Sequence, residues 1–203
     1  MNNLSQYIIE KLRINKNTKS VVYNYQPKDK EELKSLIDKL IKERGNEADL
    51  NDINVNNITD MTGIFDNSKF NGDISKWNVS KVKKMSFMFC RSDFNGDISH
   101  WDVSNVEDMC GMFCNSKFNQ DISDWDVNNV TNMNGMFKES IFNGDISKWD
   151  VSKVRDMCCM FEKSKSFNRD ISKWDVSNVN DMRWMFFRSP LQKNKPGWYK
   201  YIR

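Results

Sequence analysis

Cysteine, histidine and aspartate are the residues of this 203-residue chain whose types could carry chemistry, and their spacing limits what that chemistry can be. Cys90, Cys110, Cys114, Cys158 and Cys159 form an odd set without two-pair spacing. They predict neither a zinc quartet nor the even framework of a disulfide-stapled secreted domain. Cys90 and Cys114 are equivalent positions 24 residues apart, where a disulfide is geometrically conceivable, but free thiols are the expectation. The single histidine, His100, belongs to the series Lys76, His100, Asp124, Lys148 and Lys173, whose side chain changes from member to member. Such a series marks an outward, variable position rather than a general base. Asp73, Asp97, Asp121, Asp145 and Asp170 recur in register, as do Asp102, Asp126, Asp150 and Asp175 behind Asn78. Stacked carboxylates repel by about 1 kcal/mol or less per exposed pair unless each is occupied. Backbone N–H groups of the same turn could occupy them, or calcium held by oxygens from successive turns. The dense Gly-Gly-x-Gly-x-Asp text of calcium-binding repeats is missing, so capping of the turn is expected and no metal or cofactor is assigned. No phosphate-binding glycine loop or supported acid/base pair is present, so no catalytic residue is assigned and the chain reads as a non-enzyme.

What positions these residues is a repeat. Phe70, Phe94, Phe118, Phe142 and Phe167 are separated by 24, 24, 24 and 25 residues, and Trp77, Trp101, Trp125, Trp149 and Trp174 follow the same intervals. Self-similarity at this period predicts a solenoid whose copies share one interior. Ile74, Trp77 and Val79 have the L-x-x-L-x-L spacing of a short strand, and Val82, Met85, Met88 and Phe89 suit a helical or 3-10 turn. The predicted class is therefore an α/β repeat solenoid, a leucine-rich-repeat-like right-handed stack of short strands and short turns behind a small α+β cap. The array covers residues 49–189, one degenerate and five full copies, followed over 190–203 by an eroded copy in which Leu191 and Trp198 keep the phase.

Residues 1–48 lack the repeat and form the N-terminal cap. Tyr7–Leu12 is a short amphipathic stretch and Ser20–Tyr25 alternates like a strand. Asp29 with Glu32 resembles a capping box ahead of Leu33, Leu36, Ile37, Leu40 and Ile41, and Gly45 supplies the stop. A helix with one apolar stripe is expected to seal the end of the core.

The net charge of +3 hides a division: both ends are basic and the array is slightly acidic. That excludes a continuous basic track for nucleic acid. Neither a secretory leader nor an apolar run of about 20 residues is visible, so a cytoplasmic chain with no membrane anchor is expected.

The text FNxDISxWDVSxVxxMxxMF, repeated five times, resembles the BspA-like surface-protein repeat, also called the Mycoplasma-type 25-residue lipoprotein repeat, a divergent leucine-rich repeat. The resemblance implies a leucine-rich-repeat-like solenoid and a role in binding proteins, with many relatives displayed as adhesins.

The expected function is a non-enzymatic protein-binding module, monomeric by itself. Its partner surface is expected at Lys76, His100, Asp124, Lys148 and Lys173, together with Asp102, Asp126, Asp150 and Asp175. Two other readings stand beside it. One is a small intracellular inhibitor of phage or mobile-element type that blocks a host nucleic-acid enzyme through the basic ends; the other is a surface adhesin.

Overall fold

The computed structural model describes residues 23–199. Tyr7–Leu12 and the start of the expected strand at residues 20–22 lie outside the described residues; Tyr25 pairs in parallel with Ile53. Asp29 then opens α1 (Lys30–Arg44), its carboxylate accepting the Glu32 N–H at 2.8 Å. The Glu32 carboxylate reaches back to the Lys28 N–H at 3.0 Å, one residue before the position a capping box predicts. Gly45, at φ 89°, ends the helix with its N–H on the Ile41 carbonyl. Leu33, Ile37 and Leu40 are fully buried and belong to the same apolar cluster as the repeats, so α1 covers the core at this end.

Outside α1 and a short 3-10 turn at Pro190–Gln192, the backbone consists of turns and isolated parallel bridges. The bridges run from copy to copy through Asp60, Lys84, Asp108, Asn132, Asp156 and Asp181. Ile74–Val79 is broken by a turn at Ser75–Lys76, so the extended pairing falls at Lys84, ahead of the methionines, rather than along the Ile-x-x-Trp-x-Val stretch. Alternation of apolar residues reports which side chains point inward; it does not report where the backbone carries its ladder.

From the first methionine onward, alternate residues donate to the following copy. Met85, Phe87, Phe89 and Arg91 give their N–H groups to the carbonyls of Asp108, Cys110, Met112 and Cys114 at 2.7–2.9 Å. The intervening residues close local turns, such as Met88 N–H to the Met85 carbonyl. This winding needs two residues with positive φ in each full copy, four apart: Phe87 and Arg91, Gly111 and Asn115, Gly135 and Glu139, Cys159 and Lys163, Trp184 and Arg188. The first of these is the third residue of a turn, a position that favours glycine. At φ 55–60°, Phe87, Cys159 and Trp184 each carry backbone strain of about 1–2 kcal/mol.

Large side chains fill the interior in columns. Phe89, Phe113, Phe137 and Phe161 stack at 5.7 Å between ring centroids, and each lies 4.1–4.4 Å from the phenylalanine that opens the next copy. All are fully buried, and full burial of such a side chain is worth about 1.5–3 kcal/mol. The five repeat tryptophans from Trp77 to Trp174 are also buried, with their indoles matched: Trp77 Nε1 donates to the Leu50 carbonyl, Trp101 to Ile74, Trp125 to Ile98, Trp149 to Ile122 and Trp174 to Ile146. The isoleucine carbonyls also accept a main-chain bond from the tryptophan of their own copy, so both lone pairs are used. Trp198 continues the column, 6.4 Å from Trp174 and bonded to the Ile171 carbonyl.

Candidate functional site

The aspartates are occupied by the backbone of their own turns. Asp97, Asp121, Asp145 and Asp170 accept the N–H of Ser99, Ser123, Ser147 and Ser172 at 2.9–3.0 Å. Asp102, Asp126, Asp150 and Asp175 do the same two residues downstream, at 3.0–3.2 Å. Among the described residues no three His, Cys, Asp or Glu side chains converge as metal ligands would. Backbone donors, with the serine hydroxyls, hold the carboxyls of Asp97, Asp121, Asp145, Asp170 and Asp175 below the ordinary carboxylate range.

A depressed folded-state pKa stabilises the fold fully above the unfolded value of about 3.9 and loses that effect as pH falls through the folded value. The melting temperature is therefore expected to stay level from about pH 7 to 5 and to fall below about pH 4. Changing Asp97 and Asp121 together to asparagine keeps an acceptor, as Asn78 does for the Ser80 N–H, but removes the titration. Circular dichroism melts should show a shallower acid limb for the double variant. Superimposable limbs would place the acid response elsewhere.

All nine residues expected to meet a partner are exposed: Lys76, His100, Asp124, Lys148 and Lys173 in one series, Asp102, Asp126, Asp150 and Asp175 in the other. Lys148 reaches a shallow polar cleft of about 390 Å³, shared with Asp121, Asp145, Asn143 and Arg169, whose Nε is fixed on the Asn143 carbonyl at 2.7 Å. Among the described residues no hydrogen bond places a nucleophile against His100. Burial pushes the Cys90 and Cys159 thiols up to about 12 and Cys110 up to about 11, opposite to the activation a nucleophilic cysteine needs.

A second surface went unread in the sequence. Phe87, Ile141 and Trp184 are the exposed large apolar residues among those described, and Trp184 is the most exposed at 59%. Trp184 meets Phe187 edge-on at 5.1 Å, and both line a cavity of about 330 Å³ with Met182, Phe186 and Tyr199. Arg188 lies 5.0 Å over the Phe187 ring, while the Arg183 guanidinium is tied to the Asp181 carboxylate at 2.6–3.0 Å. The signal was available: Trp184 stands where other copies have Gly63, Gly111 and Gly135, a bulky residue at a glycine position.

The family profile described as "Mycoplasma protein of unknown function, DUF285" matches residues 32–140 and, overlapping, 91–198. The chain belongs to this family. Together the two DUF285 matches run from Glu32 in the first turn of α1 through all the repeats to Trp198. No curated protein and no solved structure matches the chain.

Proposed function

We propose that this DUF285 chain is a leucine-rich-repeat-like right-handed solenoid that acts, as a monomer and without catalysis, by binding a protein through its exposed variable columns. The observation that carries this reading is the contrast between frame and face. Copy after copy keeps the same buried phenylalanines, tryptophans and methionines, while Lys76, His100, Asp124, Lys148 and Lys173 present unlike side chains at one exposed position of that frame. A fixed scaffold with a variable, continuous surface is how repeat proteins select partners. The likeness of FNxDISxWDVSxVxxMxxMF to the BspA-like repeats supports the same reading.

The test is to reverse the charge at Lys148 and Lys173 together and compare capture of the native host's proteins by the variant and the unchanged chain. Both lysines are exposed, so the fold is retained and the recovered partner is expected to fall about tenfold. Undiminished recovery would remove this face from the binding surface.

A further inference from the structure

Cys158 and Cys159 are neighbours in the chain, and their sulfurs lie only 3.4 Å apart. Adjacent side chains of an extended segment point to opposite faces, which keeps neighbouring thiols away from each other. Here Cys159 stands at φ 58°, and this left-handed residue breaks the alternation. The frame does not require two sulfurs at this place: the same pair of positions holds Cys110 with Gly111, and Asn134 with Gly135, in earlier copies. Both thiols are half-buried, so a small reagent can reach them, and neither is joined in a disulfide. The Glu162 carboxylate beside Cys159 is already paired with Lys138 Nζ at 2.8 Å, and among the described residues no third metal-ligating side chain converges on the pair.

We propose that Cys158 and Cys159 form a two-sulfur clamp for a thiophilic centre of the trivalent arsenic class, one that needs no other ligand from the protein. The separation of the sulfurs selects that class. Zinc bonds each thiolate at about 2.3 Å and spreads two of them to about 3.8 Å, in a tetrahedron that two further protein ligands must complete. Trivalent arsenic forms bonds of similar length that meet near a right angle, which draws two sulfurs closer together, towards the observed 3.4 Å. Its third bond is to its own substituent. A disulfide between the two residues is disfavoured, because adjacent Cα atoms are about 3.8 Å apart whereas disulfides need about 4.4–6.8 Å. Cys90 and Cys114 are the opposite kind of pair: they take the same position on neighbouring copies, about 4.8 Å apart along the ladder, where a disulfide fits. Burial raises both thiols of the adjacent pair, so they are protonated at neutral pH and resist oxidants that attack thiolates. Clamping needs no oxidant. An arsenic(III) oxide, R–As=O, takes both S–H protons onto its oxygen, which leaves as water while two As–S bonds replace the As=O bond and arsenic stays trivalent. The inference uses none of the nine residues expected to meet a partner and stands apart from the reading above.

The probe is phenylarsine oxide, added to the reduced full chain and followed by gel filtration and intact-mass measurement. A single phenylarsenic group should be retained per chain, with loss of one water and withdrawal of two thiols from titration by a disulfide reagent. Excess 2,3-dimercaptopropanol should strip it, and equimolar zinc should not compete. Cys159→Gly suits φ 58°, and Cys158→Ser repeats the serine that stands at Ser86, so both variants retain the fold, checked by unlowered melting temperatures. Each should weaken retention by about a hundredfold or more, because a single sulfur has lost the chelate. Cys90→Ser and Cys114→Ser should leave retention unchanged. No retention by the unchanged chain, retention that survives Cys158→Ser or Cys159→Gly, or displacement by zinc overturns the proposal. So does loss of retention in Cys90→Ser or Cys114→Ser, which would give the clamp to the pair on neighbouring copies.

Discussion

Phe113→Ala is expected to lower the unfolding free energy by about 4 kcal/mol, the largest loss from any single truncation at the middle of the array. The ring is fully buried and stacks on four others: Phe118 at 4.2 Å, Phe89 and Phe137 at 5.7 Å, and Trp125 at 6.3 Å. The neighbours are hindered from collapsing into the space, because Phe89 and Phe137 are held by main-chain bonds to the following copy, at the Met112 and Met160 carbonyls. Since the ring contacts and main-chain bonds of this copy run to the adjoining copies, the cavity also weakens coupling between the two halves. Urea unfolding followed by tryptophan fluorescence should show a lower midpoint and a broadened or split transition. Phe187→Ala, at a half-buried ring outside the stack, serves as the control and should cost about 1 kcal/mol or less. If Phe113→Ala costs no more than Phe187→Ala, the stacked column is not what holds the array together.

Gly72→Ala is expected to cost about 3 kcal/mol and to loosen the junction between α1 and the array. Gly72 has no unusual backbone angle; its requirement is space. A Cβ there would lie 2.0 Å from the Ala48 carbonyl oxygen and 2.8 Å from the Ala48 nitrogen, both backbone atoms that cannot rotate away. Making room would break the bonds on either side, from Asn71 N–H to the Asn46 carbonyl, from Asp73 N–H to the Ala48 carbonyl and from Leu50 N–H to the Asp73 carbonyl. Those bonds fix the segment that follows α1. Hydrogen exchange should therefore accelerate in residues 30–50 before the central copies respond. The same repeat position holds Gln120 and Arg169 in later copies, so Gln120→Ala should be close to neutral. An unchanged exchange pattern in Gly72→Ala would refute the steric account.

Much of this was legible beforehand, for a physical reason. Asp29, Glu32 and Gly45 bound α1 because helix ends need partners for their free N–H and C=O groups, a local requirement that local residues meet. The Phe, Trp and Met periods marked the interior because burial of large apolar groups repeats wherever the frame repeats. The phase of Trp198 was readable for the same reason, across a tail in which little else of the pattern survives. The aspartates' role as turn acceptors also followed from type and position, since the N–H each one binds lies only two residues away.

The path of the backbone was not legible. A spacing of Ile-x-x-Trp-x-Val fixes which side chains are inward but is met equally by a strand and by the turn-broken segment found here. Partners 24 residues away settle that choice, and their carbonyls lie where the following copy puts them. Nor could a residue's type alone reveal that Phe87 and Trp184 stand at left-handed positions, one closed over Gly111 and the other left facing outward.

By itself, then, the sequence determined the period, the inward residues, the cap helix and the columns of turn acceptors, all of which depend on side-chain type and on neighbours a few residues apart. Only the tertiary structure decided which carbonyl meets which N–H between copies. Interior copies match their N–H groups to carbonyls of the adjoining copy, and stacking is a relation between distant parts of the chain.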